Sequence, residues 1–381
     1  MRTQYHVNDM TIHRIVEQEH GFTPMLEFLP TLAKETLEEN LSWLAPGGYN
    51  RDTGHVVLCF QSYVVKTPHH NILVDACIGN DKNFPLRPTW NKKNDSSWMS
   101  ALNAAGLRPE DIDFVMCSHL HGDHVGWNTR RENGRWVPTF PKARYLFSKK
   151  EYEFWTGPHV PAGFAPDPIK ESVLPIIEAN RAELVTSDHE LNDHIRLTPT
   201  PGHTPDHFAV CAGKGHDDAV FTGDLIHSPL QARYPELVMR VDTDRAQGVA
   251  TRRTFFERYC DTDTLCCTMH FPSRRSGTSS AGITGSGSNI GVEDDPALRV
   301  IPGHRAAMSP EPMDTDLDDE RRRPRFIFKR LRSWVPAFAG MTKRERCLQE
   351  HVNRAISPSE GARVSGRTTR RRDGSPRRLW A

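Results

Sequence analysis

Short apolar runs, separated by polar turns, recur through the first 272 residues of the chain. Some alternate between apolar and polar positions, as half-buried strands do, and others are apolar throughout, as strands buried on both faces are. Between them lie segments with apolar residues three and four positions apart, which predict amphipathic helices. Predicted strands cover residues 10–17, 55–60, 62–66, 71–75, 114–117, 144–148, 183–185, 195–200, 207–212, 219–222 and 264–269, and predicted helices cover residues 31–44, 97–106, 149–155, 169–179 and 245–259. The mixture predicts an α/β fold.

One apolar run leads into a cluster of three histidines and one aspartate within six residues. Residues two apart on an extended chain point the same way, so His119 and His121 can hold one metal ion. Gly122 allows a sharp turn, after which Asp123 and His124 can reach a second ion. Imidazole nitrogen and carboxylate oxygen are ligands that zinc takes in catalytic sites. A polar surface loop is the alternative interpretation, and the density of ligand-type residues argues against it.

Two ions need more ligands than this cluster holds, and other predicted strands end in suitable residues. His203, Asp224 and His270 each follow the carboxyl end of an apolar run. Sheet proteins place their sites along the edge where such ends meet, so we expect these residues to join the cluster. His227, three positions beyond Asp224, either faces the substrate or forms a hydrogen bond to a ligand.

Together these motifs resemble the metallo-β-lactamase-fold hydrolase superfamily, over residues up to about 272. The resemblance is carried by His119-Leu120-His121-Gly122-Asp123-His124, Pro201-Gly202-His203-Thr204, Gly223-Asp224, His270 and the strand that ends in Asp75. Residues 123–128 and 223–227 are most similar to the lactonase and organophosphate-hydrolase branch of the superfamily. The resemblance implies an αββα sandwich, in which two mixed sheets pack face to face with helices outside and the site at one edge.

The resemblance also implies how the metal ligands are divided. We expect two zinc ions per chain, with Mn, Fe or Co as alternatives, and a hydroxide shared between them as the nucleophile. Asp123 is then also a catalytic residue, because its carboxylate can accept the proton of that hydroxide. The implied ligands of one metal are His119, His121 and His203, those of the other are Asp123, His124 and His270, and Asp224 bridges both.

The expected reaction is hydrolysis of a small ester-like substrate, with a lactone of the acyl-homoserine type first. Phosphotriester hydrolysis is the main alternative, followed by a thioesterase or a β-lactamase. Residues 157–168, rich in proline and glycine, are expected to form a wall or lid of the substrate pocket. Trp127, Trp155 and Phe164 either line that pocket or belong to the core.

Charge divides the chain into two parts. Residues 274–381 contain 22 Lys and Arg residues and 13 Asp and Glu residues. Residues 1–273 contain 27 Lys and Arg residues and 35 Asp and Glu residues. We therefore expect a hydrolase domain at residues 1–272 and a low-complexity, Arg-rich, disordered C-terminal extension at residues 273–381. Residues 334–342 resemble translated bacterial intergenic repeats, so a frameshift or read-through is one interpretation of the extension. The alternative is an arm that binds nucleic acid, but the acidic body argues against a nucleic-acid-processing protein.

The cysteines and the hydropathy pattern complete the expectations. The eight cysteines include no pair with the two-residue spacing of zinc knuckles or redox motifs, and most lie in apolar runs. They are expected to be reduced, which favours a cytoplasmic protein. No run is long enough to span a membrane, and no signal peptide is predicted. A small molecule is the expected partner, and the oligomeric state is left open, with a homodimer as one alternative.

Overall fold

The apolar runs fold into two large sheets that lie face to face. This arrangement is seen in a computed structural model, which describes residues 3–158, 160, 167–260 and 262–273. The predicted C-terminal extension, apart from Ser273, lies outside the described residues, so its disorder stays a prediction. None of the helices in the described parts combines the length and the apolar character needed to cross a lipid bilayer.

The strands and helices follow the chain in this order. The strands are β1 (Gln4–Val7), β2 (Met10–Pro24), β3 (Tyr49–Asn50), β4 (His55–Lys66), β5 (Asn71–Val74), β6 (Phe114–Met116), β7 (Thr129–Glu132), β8 (Arg135–Pro138), β9 (Arg144–Ser148), β10 (Ala182–Val185), β11 (Ile195–Pro199), β12 (Phe208–Ala212), β13 (Ala219–Phe221) and β14 (Leu265–Cys267). The helices are α1 (Met25–Phe28), α2 (Lys34–Leu44), α3 (Ser97–Ala104), α4 (Gly122–Val125), α5 (Lys149–Thr156), α6 (Asp167–Ser172), α7 (Leu174–Glu178), α8 (Pro229–Arg233) and α9 (Arg245–Tyr259).

The first sheet has the order β1-β2-β4-β5-β6-β9-β10, with β3 paired to β4, and the second has the order β11-β12-β13-β14. Strands β7 and β8 form a separate hairpin. Both large sheets are mixed, because β5, β6, β9 and β10 run parallel and so do β13 and β14, while the other pairs are antiparallel. The candidate ligands follow the carboxyl ends of β6, β11, β13 and β14.

The alternation of side chains along each strand decides which layer each one enters. Ile72 and Val74 of β5 pack between the sheets against residues such as Phe221, whereas Leu73 faces outward and packs with Trp98 of α3. On the far side, Val220 of β13 packs against α9. The layers are therefore helix, sheet, sheet and helix, which confirms the predicted αββα sandwich.

The structure divides two stretches differently from the prediction, for physical reasons. Residues 55–60 and 62–66 form one strand, because the polar Gln61 that interrupts the apolar pattern is buried and satisfied. Its side chain accepts a hydrogen bond from Arg14 and donates to the carbonyl of Thr268 at 2.6 Å. The predicted helix at 169–179 is instead two helices, α6 and α7, because Pro175 cannot donate the backbone bond that a continuous helix would need.

Candidate metal centre

Three histidines from two distant parts of the chain meet beside Asp224. Nε2 of His119 lies 2.9 Å from Nδ1 of His121, which lies 3.1 Å from Nε2 of His203. The Oδ2 atom of Asp224 lies 3.1 Å from Nε2 of His203 and 3.7 Å from Nε2 of His119. These four side chains offer ligand atoms within 4.8 Å of one another, so they could hold a metal ion.

A second group lies on the other side of the same aspartate. The Oδ1 atom of Asp224 lies 3.0 Å from Nε2 of His124 and 2.8 Å from Nε2 of His270. Asp123 completes this group, with its Oδ2 at 3.7 Å from His124 and 3.8 Å from His270. The two oxygens of Asp224 therefore face two different groups of side chains, each of which could hold an ion.

The loop after β6 is shaped by its own polar groups and by close packing. The carboxylate of Asp75 accepts hydrogen bonds from the backbone and hydroxyl of Ser118, at 2.7 and 2.9 Å, just before the first histidine. Gly122 begins α4, and its small size matters because a Cβ there would lie 2.5 Å from the ring of Phe84. Four residues later a Cβ on Gly126 would lie 1.8 Å from the carbonyl oxygen of Ile78.

Three of the histidines carry an acceptor on the ring nitrogen that faces away from Asp224. The acceptors lie at 2.8 Å for Asp75 on His124, 2.9 Å for Asp242 on His203, and 3.1 Å for the carbonyl of Cys59 on His270. Each acceptor keeps the proton of a neutral ring on Nδ1 and turns the lone pair of Nε2 toward the carboxylate. Lone pairs and a carboxylate repel one another unless cations lie between them, so the donor set fits divalent metal ions.

The pKa shifts of Asp224 and the histidines around it also indicate that positive charge stabilises the cluster. Burial opposes the ionised form of Asp224, but the surrounding histidines, His124 and His270 foremost, outweigh it and hold its pKa well below the ordinary value. Burial likewise opposes the charged form of His203, yet Asp224 and Asp242 raise its pKa to about 9. For His119, burial and the neighbouring histidines lower the pKa well below its ordinary value.

His227 was expected either to face the substrate or to form a hydrogen bond to a ligand, and its position is compatible with both. Its Nε2 is 3.0 Å from Oδ2 of Asp224, and the residue also lines the cavity in front of the cluster. His207 lies behind the cluster, where its Nε2 accepts the backbone N–H of Asp224 at 2.9 Å. His207 therefore acts on the shape of the loop that carries Asp224.

A cavity of about 700 Å³ opens in front of the cluster. Apolar and aromatic side chains dominate its wall, among them Phe22, Phe28 and Phe60. Of the predicted pocket aromatics, Trp155 lines the cavity, and Trp127 is buried with its Nε1 donating to Glu17. Phe164 and most of the predicted wall at 157–168 lie outside the described residues, although Pro168 lines the cavity.

Sequence reasoning missed Asp242 and Cys59, the partners of His203 and His270. Asp242 lies between α8 and α9, in a stretch without apolar periodicity. Cys59 contributes a backbone carbonyl, which no side-chain pattern reports. The only local signal was the Val-Asp-Thr-Asp segment at residues 241–244, just ahead of a predicted helix.

The family model described as the metallo-beta-lactamase superfamily matches residues 60–280. The chain belongs to this superfamily. Its buried histidine and aspartate cluster is the candidate metal site.

Relatives within the superfamily are distant. An N-acyl homoserine lactonase of Bacillus cereus is 28% identical over 109 residues, which is 29% of this chain and 36% of the relative. The lactonase AttM of Agrobacterium fabrum is 27% identical over 192 residues, 47% of this chain and 65% of the relative. The chain thus matches about a third of the length of the first of these relatives and just under two thirds of the second.

Solved structures share the fold over most of their length. The hydrolase AbOPH of the beta-lactamase superfamily has a TM-score of 0.60 at 24% identity, covering 71% of this chain and 89% of that one. AidC, a dizinc quorum-quenching lactonase, has a TM-score of 0.56 at 20% identity, covering 75% of this chain and 98% of that one. At these identities the likeness establishes the fold.

Proposed function

We propose that this superfamily hydrolase holds two zinc ions and hydrolyses lactones of the acyl-homoserine type. One observation supports a site for two ions. The two carboxylate oxygens of Asp224 face separate groups of imidazoles. In this proposal His119, His121 and His203 bind one ion, Asp123, His124 and His270 bind the other, and Asp224 bridges them.

The bound ions and the side chains of the protein would then have separate roles in the reaction. Two bound divalent ions would supply Lewis acidity, polarising the substrate carbonyl and activating a water near neutral pH. The carboxylate of Asp123, which lines the cavity, can accept the proton of the attacking water and return it to the leaving oxygen. His227 holds Oδ2 of the bridging Asp224 at 3.0 Å and so orients it.

The choice of lactone is supported by the named relatives and by the cavity. The curated relatives are N-acyl homoserine lactonases, although the regions that match are short. An apolar cavity of about 700 Å³ has room for an acyl chain in front of the cluster.

The decisive experiment combines metal analysis with a substrate panel. Protein prepared without chelator should contain close to two zinc equivalents, and chelation should abolish activity that zinc restores. Asp224→Asn should lower both metal content and turnover, the latter about a thousandfold, while Asp188→Asn, at an exposed position, should change neither. The panel consists of acyl-homoserine lactones, aryl esters, phosphotriesters, thioesters and a β-lactam. Activity in metal-free protein would refute the metal site, and activity confined to thioesters or β-lactams would refute the lactonase assignment.

A further inference from the structure

The wall of the cavity in front of the metal cluster carries two arginines among otherwise mostly apolar residues. Among the described residues that line this cavity, Arg87 and Arg240 are the only ones that are Arg or Lys. Arg240 forms a loose ion pair with Glu27 at 3.8 Å, in which both side chains are exposed. Such a pair leaves most of the positive charge of Arg240 available, because exposed ion pairs contribute little. We call Arg87 and Arg240 the arginine wall.

Arg87 lies over aromatic rings and has no partner of opposite charge among the described residues. Its guanidinium carbon lies 4.6 Å from the centre of the Phe22 ring and 5.8 Å from that of Trp90. Among the described residues no carboxylate lies within ion-pair distance of it, and its N–H groups have no acceptor. A half-buried guanidinium with five unused donors is suited to a planar anion that accepts two parallel hydrogen bonds.

A second donor beside the same wall is the indole of Trp90. The indole Nε1 of Trp90 is buried, and it has no hydrogen-bond partner in the described part of the chain. Buried donors without acceptors are rare in folded proteins, and each calls for an explanation such as a bound water or ion. Trp90 stacks on Phe22 at 5.5 Å, so the donor is held rigidly beside Arg87.

Electrostatics agree with this geometry. Burial and the nearby Arg240 both lower the pKa of Arg87, while Asp123 acts in the opposite direction. The arginine wall therefore concentrates positive charge in a partly desolvated place that also borders the metal cluster. An anion bound there would relieve the repulsion between the two guanidinium groups.

We propose that the arginine wall binds a carboxylate at the end of the substrate away from the reacting carbonyl. The preferred substrates are then lactones or esters whose acyl group ends in a carboxylate, rather than neutral acyl chains. This inference rests on the proposed hydrolase function and specifies the substrate class within it.

The test compares two lactones of the same shape. N-succinyl-homoserine lactone ends in a carboxylate, and N-(4-methylpentanoyl)-homoserine lactone replaces that carboxylate by an isopropyl group. The zinc-loaded full chain should favour the anionic lactone about 10- to 100-fold in kcat/KM, mainly through KM, the range expected for hydrogen bonds to a charged group. Equal rates, or a faster neutral lactone, would overturn the inference while leaving the proposed function intact.

Substitutions at Arg87 test whether the arginine wall causes the preference for the anionic lactone. Arg87→Gln should reduce the ratio of the two kcat/KM values to about threefold or less, and Arg87→Lys should leave an intermediate ratio because it keeps the charge without the planar fork. Arg253→Gln, which removes an exposed arginine from α9, should leave the ratio as it is. A preference that survives Arg87→Gln would also overturn the inference.

A binding measurement separates this inference from the hydrolase proposal. Succinamate carries the carboxylate without a lactone, so calorimetric titration reports its binding whether or not the protein hydrolyses lactones. Wild-type protein should bind it at least about tenfold more tightly than Arg87→Gln does. Binding of the carboxylate to the metals is common to both proteins and cancels in this comparison. Equal affinities would refute the arginine wall as a carboxylate site, and a tenfold difference without hydrolysis would refute only the hydrolase proposal.

Discussion

His270 and Cys59 are joined by two hydrogen bonds that connect the two sheets. Nδ1 of His270 donates to the carbonyl of Cys59 at 3.1 Å, and the N–H of Cys59 donates to the carbonyl of His270, also at 3.1 Å. Cys59 lies in β4 of the first sheet, whereas His270 follows β14, the last strand of the second sheet in the described chain. The candidate ligand His270 is therefore held by a strand of the opposite sheet, although it lies only three residues before Ser273.

This contact predicts the result of removing residues 274–381. The truncated chain should retain both metal equivalents and nearly unchanged activity, because the hydrogen bonds that hold His270 lie within the residues that remain. Metal analysis and kcat/KM on the same preparation would measure this. A shorter chain that ends at Phe271 also loses Ser273, whose Oγ accepts from Arg14 at 3.2 Å and whose N–H donates to Glu19 at 2.7 Å, and it should be less stable. Loss of one metal equivalent in the first truncation would contradict the prediction.

Asp242 should control the affinity of the site through His203. Asp242→Asn keeps the shape of the side chain but removes the charge beside Nδ1 of His203, 2.9 Å away. We expect about a 10- to 100-fold loss of metal affinity, measured by competition with a chromophoric chelator. Asp244→Asn is the matched control, because Asp244 caps α9 through the N–H of Gln247 and should affect stability rather than metal affinity. Equal affinities of wild-type protein and Asp242→Asn would contradict this role.

Gly126 should be intolerant of any side chain. In Gly126→Ala the new Cβ would lie 1.8 Å from the carbonyl oxygen of Ile78, so the backbone of one of the two loops must move. We expect a loss of about 3 kcal/mol or more in the free energy of unfolding, together with weaker metal binding. Gly47→Ala is the control, since a Cβ there meets nothing within 4 Å, and it should change stability by less than about 0.5 kcal/mol. Denaturant unfolding of both variants would decide, and similar losses would contradict the packing argument.

His194 should make stability depend on pH. Hydrogen bonds to Asp9 at 3.0 Å and Asp193 at 2.8 Å raise the pKa of His194 above its ordinary 6.5, although burial opposes them, and they lower the pKa of both aspartates below 3.8. The histidine contribution is complete below pH 6.5 and is lost as the pH rises through the raised pKa, while that of the aspartates is lost in acid. His194→Gln should therefore be less stable than wild type between about pH 4 and 6.5, with the difference vanishing at higher pH. Denaturation midpoints across this range measure it, and a difference that grows above pH 7 would contradict the assignment.

The residue types of the candidate site could be predicted from sequence because they are locally marked. An apolar run that ends in His, Asp or Glu places a ligand at a strand end, and parallel strands bring such ends to one edge. His119, His203 and His270 were found in this way, and the structure brings them to the same carboxylate, that of Asp224. The division into helix, sheet, sheet and helix came from the resemblance of the same motifs to a known family.

Tertiary structure decided what no local pattern encodes. Gln61 interrupts an apolar run, yet it lies inside β4 because Arg14 and Thr268, distant in sequence, satisfy its amide. Asp242 and Cys59 complete the site as hydrogen-bond acceptors, and acceptors of this kind are assigned by proximity in space alone. The arginine wall likewise exists only because the turn that carries Arg87 folds over Phe22. Periodicity reports burial and direction along one element, whereas partners between elements depend on how the layers pack.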